Sequence, residues 1–310
     1  MTERIWVLAD PRAGTAAQAI GIAERLDRPF RTVPLAWGAL ARLPLRWPTL
    51  LGLTAAARAA LAGPPPAAVI SAGRRSAPVA LWLGRRGART IHCMRPGFAE
   101  ARFDLLVAGR HDSSPEAPNI LPILGATHRM SPVRLAVARE RWAMFAALPA
   151  PRVALLLGGP PRGEGMEPST AAAIGGQVAG FAGSVLATGS RRTGRPAEAA
   201  LAESIAGLPH HLHRWGDAAE NPYAGLLAWS DAVVVTGDSV SMLSEALATP
   251  VPVFIADPGG LGARHLRLHE SLYTARQARP LAEAPTPFTR APLDETGRVA
   301  FEIVERGLLG

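Results

Sequence analysis

The sequence predicts an α/β protein of two doubly wound, parallel-sheet domains. Short apolar runs of strand length alternate with helical stretches along the whole chain, the pattern of parallel sheets covered on both faces. The length of 310 residues suits two domains of roughly 150 residues each. The same rhythm also restarts after a proline-rich junction at 148–152, Leu-Pro-Ala-Pro-Arg.

In the first half, strands are expected near 4–9, 31–35, 67–72, 89–94, 103–108 and 119–122, with helices at 14–26, within 40–61 and at 76–86. A long amphipathic helix fits 131–148, with Ser131 as N-cap and Pro132 at the first helical position. The second half predicts strands at 153–157, 184–188, 210–214, 232–236 and 251–255, and helices at 169–182, 196–207, 222–230 and 239–248. A proline-rich passage at 280–292 precedes a last helix over 296–309. The expected domains are 1–149 and 150–295, with 296–310 as a closing helix that packs back on the first.

Composition removes several function classes. All 33 basic residues are arginine. Without lysine there is no Walker-A loop, no kinase strand lysine and no Schiff-base amine. The formal charge of +8 is spread along the chain rather than gathered into an arm or stripe, which speaks against a nucleic-acid partner. A single cysteine, Cys93, allows no internal disulfide. The opening residues hold too short an apolar run for a signal peptide. The uncharged stretch 171–189 has the length of a membrane span, but its glycines and Gln177, Ser184 and Thr188 read as helix, turn and strand. The expected location is the cytoplasm.

In open α/β sheets, ligands bind beyond the carboxyl ends of strands, so candidate residues are ranked by whether they follow one. The strongest segment is 233–247. There a buried strand runs into Thr236, Gly237, Asp238 and Ser239 as a helix opens, offering amide hydrogens and hydroxyls to a phosphate. Ser241 adds a hydroxyl, and Glu245, further along the helix, could reach ribose. Simple N-capping by Asp238 or Ser239 is the plainer alternative. Gly237-Asp238-Ser239 also matches an esterase nucleophile motif, but no histidine stands three residues after an aspartate, as that chemistry needs.

Gly158 and Gly159, ahead of Pro160 to Gly163, follow the strand at 153–157 and would let backbone approach a phosphate. Ser190, Arg191 and Arg192 follow the next strand, where two arginines suit a phosphate fork or a solvated turn. In the first half, Asp10, Arg12, Gly14, Thr15 and Gln18 follow the first strand, Gly73 and Arg74 the third, and His111 and Asp112 the fifth. Asp10, His111 and Asp112 are candidate general bases. The alternatives are a helix cap for Asp10 and a surface loop for His111.

The histidines at 210, 211 and 213 lack accompanying carboxylates or cysteines, so no metal site is expected. The chain has no Asp-x-Asp, and any diphosphate chemistry would rest on backbone, hydroxyls and arginine. The stretch 35–61 interleaves Trp37, Leu40, Leu43, Leu45, Trp47, Leu50 and Leu51 with Arg42, Arg46 and Arg58. It fits a membrane-interface helix or hairpin, or an ordinary buried helix pair broken at Pro44 and Pro48.

Taken together, Asp10 to Gln18, Gly73 to Arg75, Arg110 to Asp112, Gly158-Gly159, Ser190 to Thr193, Asn221-Pro222-Tyr223 and Thr236 to Glu245 resemble, in order, the family named after a plant mitochondrial fission (elongated-mitochondria) protein. The resemblance implies a GT-B architecture, two Rossmann-like domains facing across a cleft, with a glycosyltransferase activity. It implies that Asn221, Tyr223 and the residues named in the second half hold a nucleotide-sugar donor as substrate, with no cofactor. The run from Gly237 to Glu245 is similar to the donor site of lipid-linked N-acetylglucosaminyltransferases, in which the glutamate binds ribose. The first-half residues would then form the acceptor side, with Asp10 or the His111–Asp112 pair as base. The expected partner is a lipid-linked acceptor or anionic membrane at the inner face. A sugar-nucleotide epimerase and a catalytically silent, membrane-associated scaffold are the alternatives on the same fold.

Overall fold

The structure is a computed structural model that describes residues 4–160 and 165–309. The chain forms two compact units, one of Met1–Arg129 with Glu295–Gly310, the other of Met130–Asp294.

The first unit is built on a parallel sheet of β1 (Ile5–Ala9), β2 (Phe30–Pro34), β3 (Ala68–Ala72), β4 (Arg89–Cys93), β5 (Leu105–Gly109) and β6 (Ile120–Ile123), in the order β2-β1-β3-β4-β5-β6. The β1 and β5 runs are apolar, and β3 is apolar but for the buried Ser71, as suits strands covered on both faces. Alternate residues supply opposite faces. Ile5, Val7, Ile70 and Val107 pack with Ile22 of α1 (Ala13–Arg25). Trp6, Leu8, Val69 and Leu106 pack with Ala57 of α2 (Ala55–Ala59) and with Val79 and Leu83 of α3 (Ala77–Gly84). The segment expected to hold helices at 40–61 is mostly a loop, with a 3-10 turn at Ala39–Arg42 and the single turn and a half of α2. Pro44 and Pro48 remove two amide donors there, so a continuous helix cannot form. No helix among the described residues is long and apolar enough to cross a membrane.

In the second unit, β7 (Arg152–Leu157), β8 (Ser184–Gly189), β9 (His210–His213), β10 (Ala232–Thr236), β11 (Val253–Ala256) and β12 (Arg279–Pro280) pair in parallel in the order β12-β11-β10-β7-β8-β9. One face is covered by α5 (Pro168–Ala179) and α6 (Arg195–Ser204), through Ile174, Val178 and Leu201 against Val153, Leu155 and Val185. The other carries Phe145 and Leu226 against Leu186. Here α4 (Pro132–Arg141), capped by Ser131 accepting from the Arg134 amide at 3.0 Å, lies on α7 (Tyr223–Trp229). Arg139 sits over the Trp229 ring at 3.9 Å, and a Cβ on Gly225 would fall 2.4 Å from Trp142. These contacts are why the units part at 129/130 rather than at the 149/150 junction read from the sequence.

Two further helices complete this unit: α8 (Val240–Ala246) and α9 (Ala263–Thr274). α9 is not among the helices expected from the sequence, although Leu268 and Leu272 stand four apart and both are buried. The closing helix, α10 (Glu295–Glu305), belongs to the first unit. Its Glu295 carboxylate accepts the Leu124 amide at 2.8 Å, Thr296 accepts the His128 amide at 3.0 Å, and Val299 and Ile303 enter the core beside α1.

Candidate functional site

In each sheet the strand order reverses once, between β1 and β3 in the first unit and between β7 and β10 in the second. Loops leaving such a pair diverge to opposite faces and open a crevice at the carboxyl ends. The sequence's candidates fall at both points.

At the second unit's reversal, the turns after β7 and β10 are locked together. The Gly158 amide donates to Thr236 Oγ1 at 2.7 Å, the Thr236 hydroxyl donates to Asp238 Oδ1 at 2.7 Å, and the Gly159 amide donates to Asp238 Oδ2 at 2.5 Å. Asp238 is only 7% exposed, and both its oxygens are engaged within the fold. It therefore positions the glycine turn and does not cap α8. Ser239 supplies the cap, accepting from the Met242 amide at 3.4 Å. The glycines are required by volume. A Cβ on Gly158 would meet Asp238 Oδ1 at 2.3 Å, and one on Gly159, at φ +148°, would meet the Arg192 carbonyl at 2.1 Å.

The turn after β8 joins the same cluster. The Gly158 carbonyl accepts the Ser190 hydroxyl at 2.8 Å and also that of Thr193, while Ser190 Oγ accepts the Arg192 amide at 3.1 Å. Arg192 is half-buried here and Arg191 exposed. Pro161 to Gly163, part of the glycine-turn reading, lie outside the described residues.

Two histidines of α9 that are not among the sequence's candidates adjoin this cluster, His269 by direct contact and His265 by its charge environment. Burial holds His269 below its ordinary value, so the neutral ring donates from Nε2 to the Gly237 carbonyl at 2.8 Å. A Cβ on Gly237 would strike that ring at 2.4 Å. His265 is held low by burial and then by the Arg264 charge, with Asp238 pulling it upward, so it lies within electrostatic reach of the lock. The available signal was a pair of histidines four apart in a helix following β11.

Along α8, Ser241 is half-buried and Glu245 accepts the Tyr223 hydroxyl at 2.7 Å. Burial pushes the Glu245 carboxyl up to about 7, against the Tyr223 hydrogen bond and the Arg134 charge, which lower it. Burial and the neighbouring Glu245 raise the Tyr223 hydroxyl well above its ordinary range. Asn221 closes the turn ahead of α7 by accepting the Tyr223 amide at 3.0 Å.

At the first unit's reversal, Asp10 accepts the Arg12 amide at 2.8 Å and the Trp37 indole N–H at 3.1 Å. Asp10 does not cap α1, whose N-cap is Arg12. Gly14 and Thr15 open that helix, and Gln18 is buried one turn on. Gly73, at φ +85°, brings the turn after β3 against Thr15, to within 2.9 Å of where a Cβ would stand. Arg74 is exposed. His111 and Asp112 occupy a separate 3-10 turn after β5, 3.8 Å apart. His111 is not a surface residue: at 2% exposure its ring folds back over Gly109.

Among the described residues, no group of three His, Cys, Asp or Glu side chains could hold a metal. Of the histidines of β9, His210 is exposed, His211 packs against Phe145 at 5.0 Å, and the His213 backbone carbonyl accepts the Thr188 hydroxyl at 2.9 Å.

Comparison with known proteins places this geometry. The family signature described as "Mitochondrial fission ELM1" matches residues 13–307. The chain belongs to that family. It is 29% identical over 231 residues to mitochondrial fission protein ELM1 of Arabidopsis thaliana, a match covering 65% of this chain and 53% of the relative. The chain thus spans about half the length of that plant relative. To protein RP120 of Rickettsia prowazekii it is 24% identical over 98% of both. Among solved structures, Os79 from O. sativa in complex with UDP superposes with a TM-score of 0.56 at 11% identity, covering 98% of this chain and 93% of that one. MurG of Acinetobacter baumannii gives a TM-score of 0.51 at 11% identity over 99% and 92%. These likenesses assign this ELM1-family chain the GT-B fold.

Proposed function

We propose that this ELM1-family protein is a metal-independent glycosyltransferase whose second unit binds a nucleotide-sugar donor and whose first unit binds a lipid-linked acceptor. The observation that carries the donor half is the locked reversal between β7 and β10, followed in α8 by the Glu245 carboxyl. Glu245 stands six residues beyond Ser239, roughly 9 Å along the helix axis, so diphosphate at the turn and ribose at Glu245 would be two parts of one ligand. The UDP in Os79 and the shared GT-B fold support a nucleotide ligand of this kind.

In the transfer, an acceptor oxygen bonds to the sugar's anomeric carbon as the bond to the diphosphate oxygen breaks. The electron pair leaves with the diphosphate, and the acceptor hydroxyl's proton passes to a base. Arg191, Arg192, Ser239 and Ser241 would meet the departing charge, as fixed dipoles and cations stabilise a leaving group. Asp238 and Thr236 act by holding the turn. Asp10 and the His111–Asp112 pair are the bases to test.

A second reading, donor binding without transfer, is favoured by one observation: both Asp10 oxygens are engaged by the fold and His111 is buried. Thermal-shift and calorimetric titration with UDP-, GDP-, CMP- and ADP-sugars test the donor half. One nucleotide class should stabilise the protein and saturate, and failure of all four overturns both readings. Release of nucleoside diphosphate in the presence of membrane extract then separates transfer from binding alone.

A further inference from the structure

In the first unit, a cavity of about 280 Å³ opens beside the turn after β3. Its lining includes Trp37, Leu43, Leu45 and Val79, the polar Thr49, and the three arginines Arg42, Arg74 and Arg75. No carboxylate lines it. Among the described residues, no hydrogen bond, ion pair or ring contact engages the side chains of these three arginines, whereas Arg89, Arg95 and Arg129 of the same unit hold carboxylates. Three unpaired guanidiniums around one cavity repel one another, a cost that a bound polyanion would remove.

The loop that forms one wall is fastened at its neck. Trp37 and Leu53 bridge, Gly38 donates to the Gly52 carbonyl at 2.9 Å, and Thr54 donates to that of Ala36 at 3.0 Å. Thr49 ties the loop to the start of α3 through the Pro78 carbonyl at 3.1 Å. Held this way, the loop exposes apolar side chains: Leu40 at 47%, Leu43 at 53%, Trp47 at 52% and Leu51 at 48%. Arg46 and Arg58 are exposed in the same segment. Apolar side chains with interleaved arginines suit the boundary between headgroups and acyl chains, with Trp at the interface.

We propose that this loop docks on an anionic membrane and that the cavity receives the phosphate of a lipid headgroup between Arg42, Arg74 and Arg75. Charge complementarity selects the occupant, since the charged side chains of the cavity are all cations and the exposed loop beside it combines apolar side chains with further arginines. The site deepens the acceptor half of the reading above, because the phosphate is the polar anchor of a lipid-linked acceptor. Lipid binding is measurable without any donor, so the two can fail separately.

The test is co-sedimentation of the full chain with vesicles of phosphatidylcholine alone or doped with phosphatidic acid. Binding is expected only to the doped vesicles. Arg42→Gln with Arg75→Gln should weaken it by about tenfold or more, in line with the contribution of each surface arginine at an anionic membrane. Leu43→Ser with Trp47→Ser should also weaken it, by about tenfold, through lost apolar insertion. All four positions are exposed, and an unchanged circular dichroism spectrum and thermal midpoint would verify folding. Equal binding by the arginine variant, or equal binding of the native chain to undoped vesicles, overturns the proposal. Loss of donor binding in the native chain with lipid binding intact would instead count against the donor reading.

Discussion

One oxygen of Asp238 accepts the Gly159 amide at 2.5 Å, across a separation of 79 residues, and thereby fixes the turn after β7 to the turn after β10. The other oxygen takes the Thr236 hydroxyl, which in turn receives the Gly158 amide. A buried chain of this kind is costly to break, because each orphaned donor keeps its full desolvation penalty.

Asp238→Ala should therefore lower unfolding free energy by about 2–4 kcal/mol, from two unpaired donors. Asp238→Asn should lose about 1–2 kcal/mol, since an amide offers one acceptor where two donors point. Urea denaturation followed by circular dichroism reads both. Equal stability of the alanine variant and the native protein would contradict the lock.

Gly159→Ala adds a methyl where the Arg192 carbonyl stands 2.1 Å away, at a φ that side chains avoid. Backbone must move to relieve it. A loss of about 2–4 kcal/mol is expected from overpacking and strain together, with donor affinity reduced because the turn itself shifts. Gly176→Ala, in α5 with no heavy atom near the added methyl, is the control and should be neutral or slightly stabilising.

Much of this was legible in the sequence, and the rest was hidden for identifiable reasons. Apolar runs such as Val233-Val234-Val235 announce buried parallel strands, and their carboxyl ends located Thr236, Gly158 and Ser190 in advance. The locking role of Asp238 was hidden because, although its Thr236 partner is two residues away, the Gly159 amide it fixes is 79 residues away. An amphipathic pattern shows that α4 buries a face but not against which sheet, so its docking on α7 moved the unit boundary. Trp37 and Leu40 to Leu51 have the composition of an interfacial helix, but two prolines turn that composition into a fastened loop.

Asp10 and Trp37 link that loop to β1. Trp37→Phe keeps one aromatic ring but removes the indole donor and part of the ring's packing, for a loss of about 1–3 kcal/mol. Asp10→Ala should lose more hydrogen bonding, because the Arg12 amide is orphaned as well. In a double-mutant cycle the pair should couple by about 1 kcal/mol or more, as a hydrogen bond to a charged acceptor does. Additive effects would remove Asp10 from a positioning role and leave it available as a base.

Glu245 gives the protein a pH dependence with a defined sign. Its folded-state carboxyl sits at about 7 against an ordinary 4.5, so between these values the native state holds a proton that the unfolded chain has released. Its contribution to stability is fully present below about 4.5, declines as pH rises, and is lost once pH passes about 7. Glu245→Gln should flatten that part of the stability profile. The Tyr223 hydrogen bond lowers the Glu245 value, so Tyr223→Phe should shift the upper limit to higher pH. Ribose hydroxyls donate best to the ionised carboxylate, so donor affinity should rise between pH 6 and pH 8, by about tenfold at most. Glu245→Gln should abolish that rise. Calorimetric titrations across the range decide it: a flat affinity profile in the native protein, with the stability profile still sloping, would remove Glu245 from the ribose site while leaving its buried proton intact.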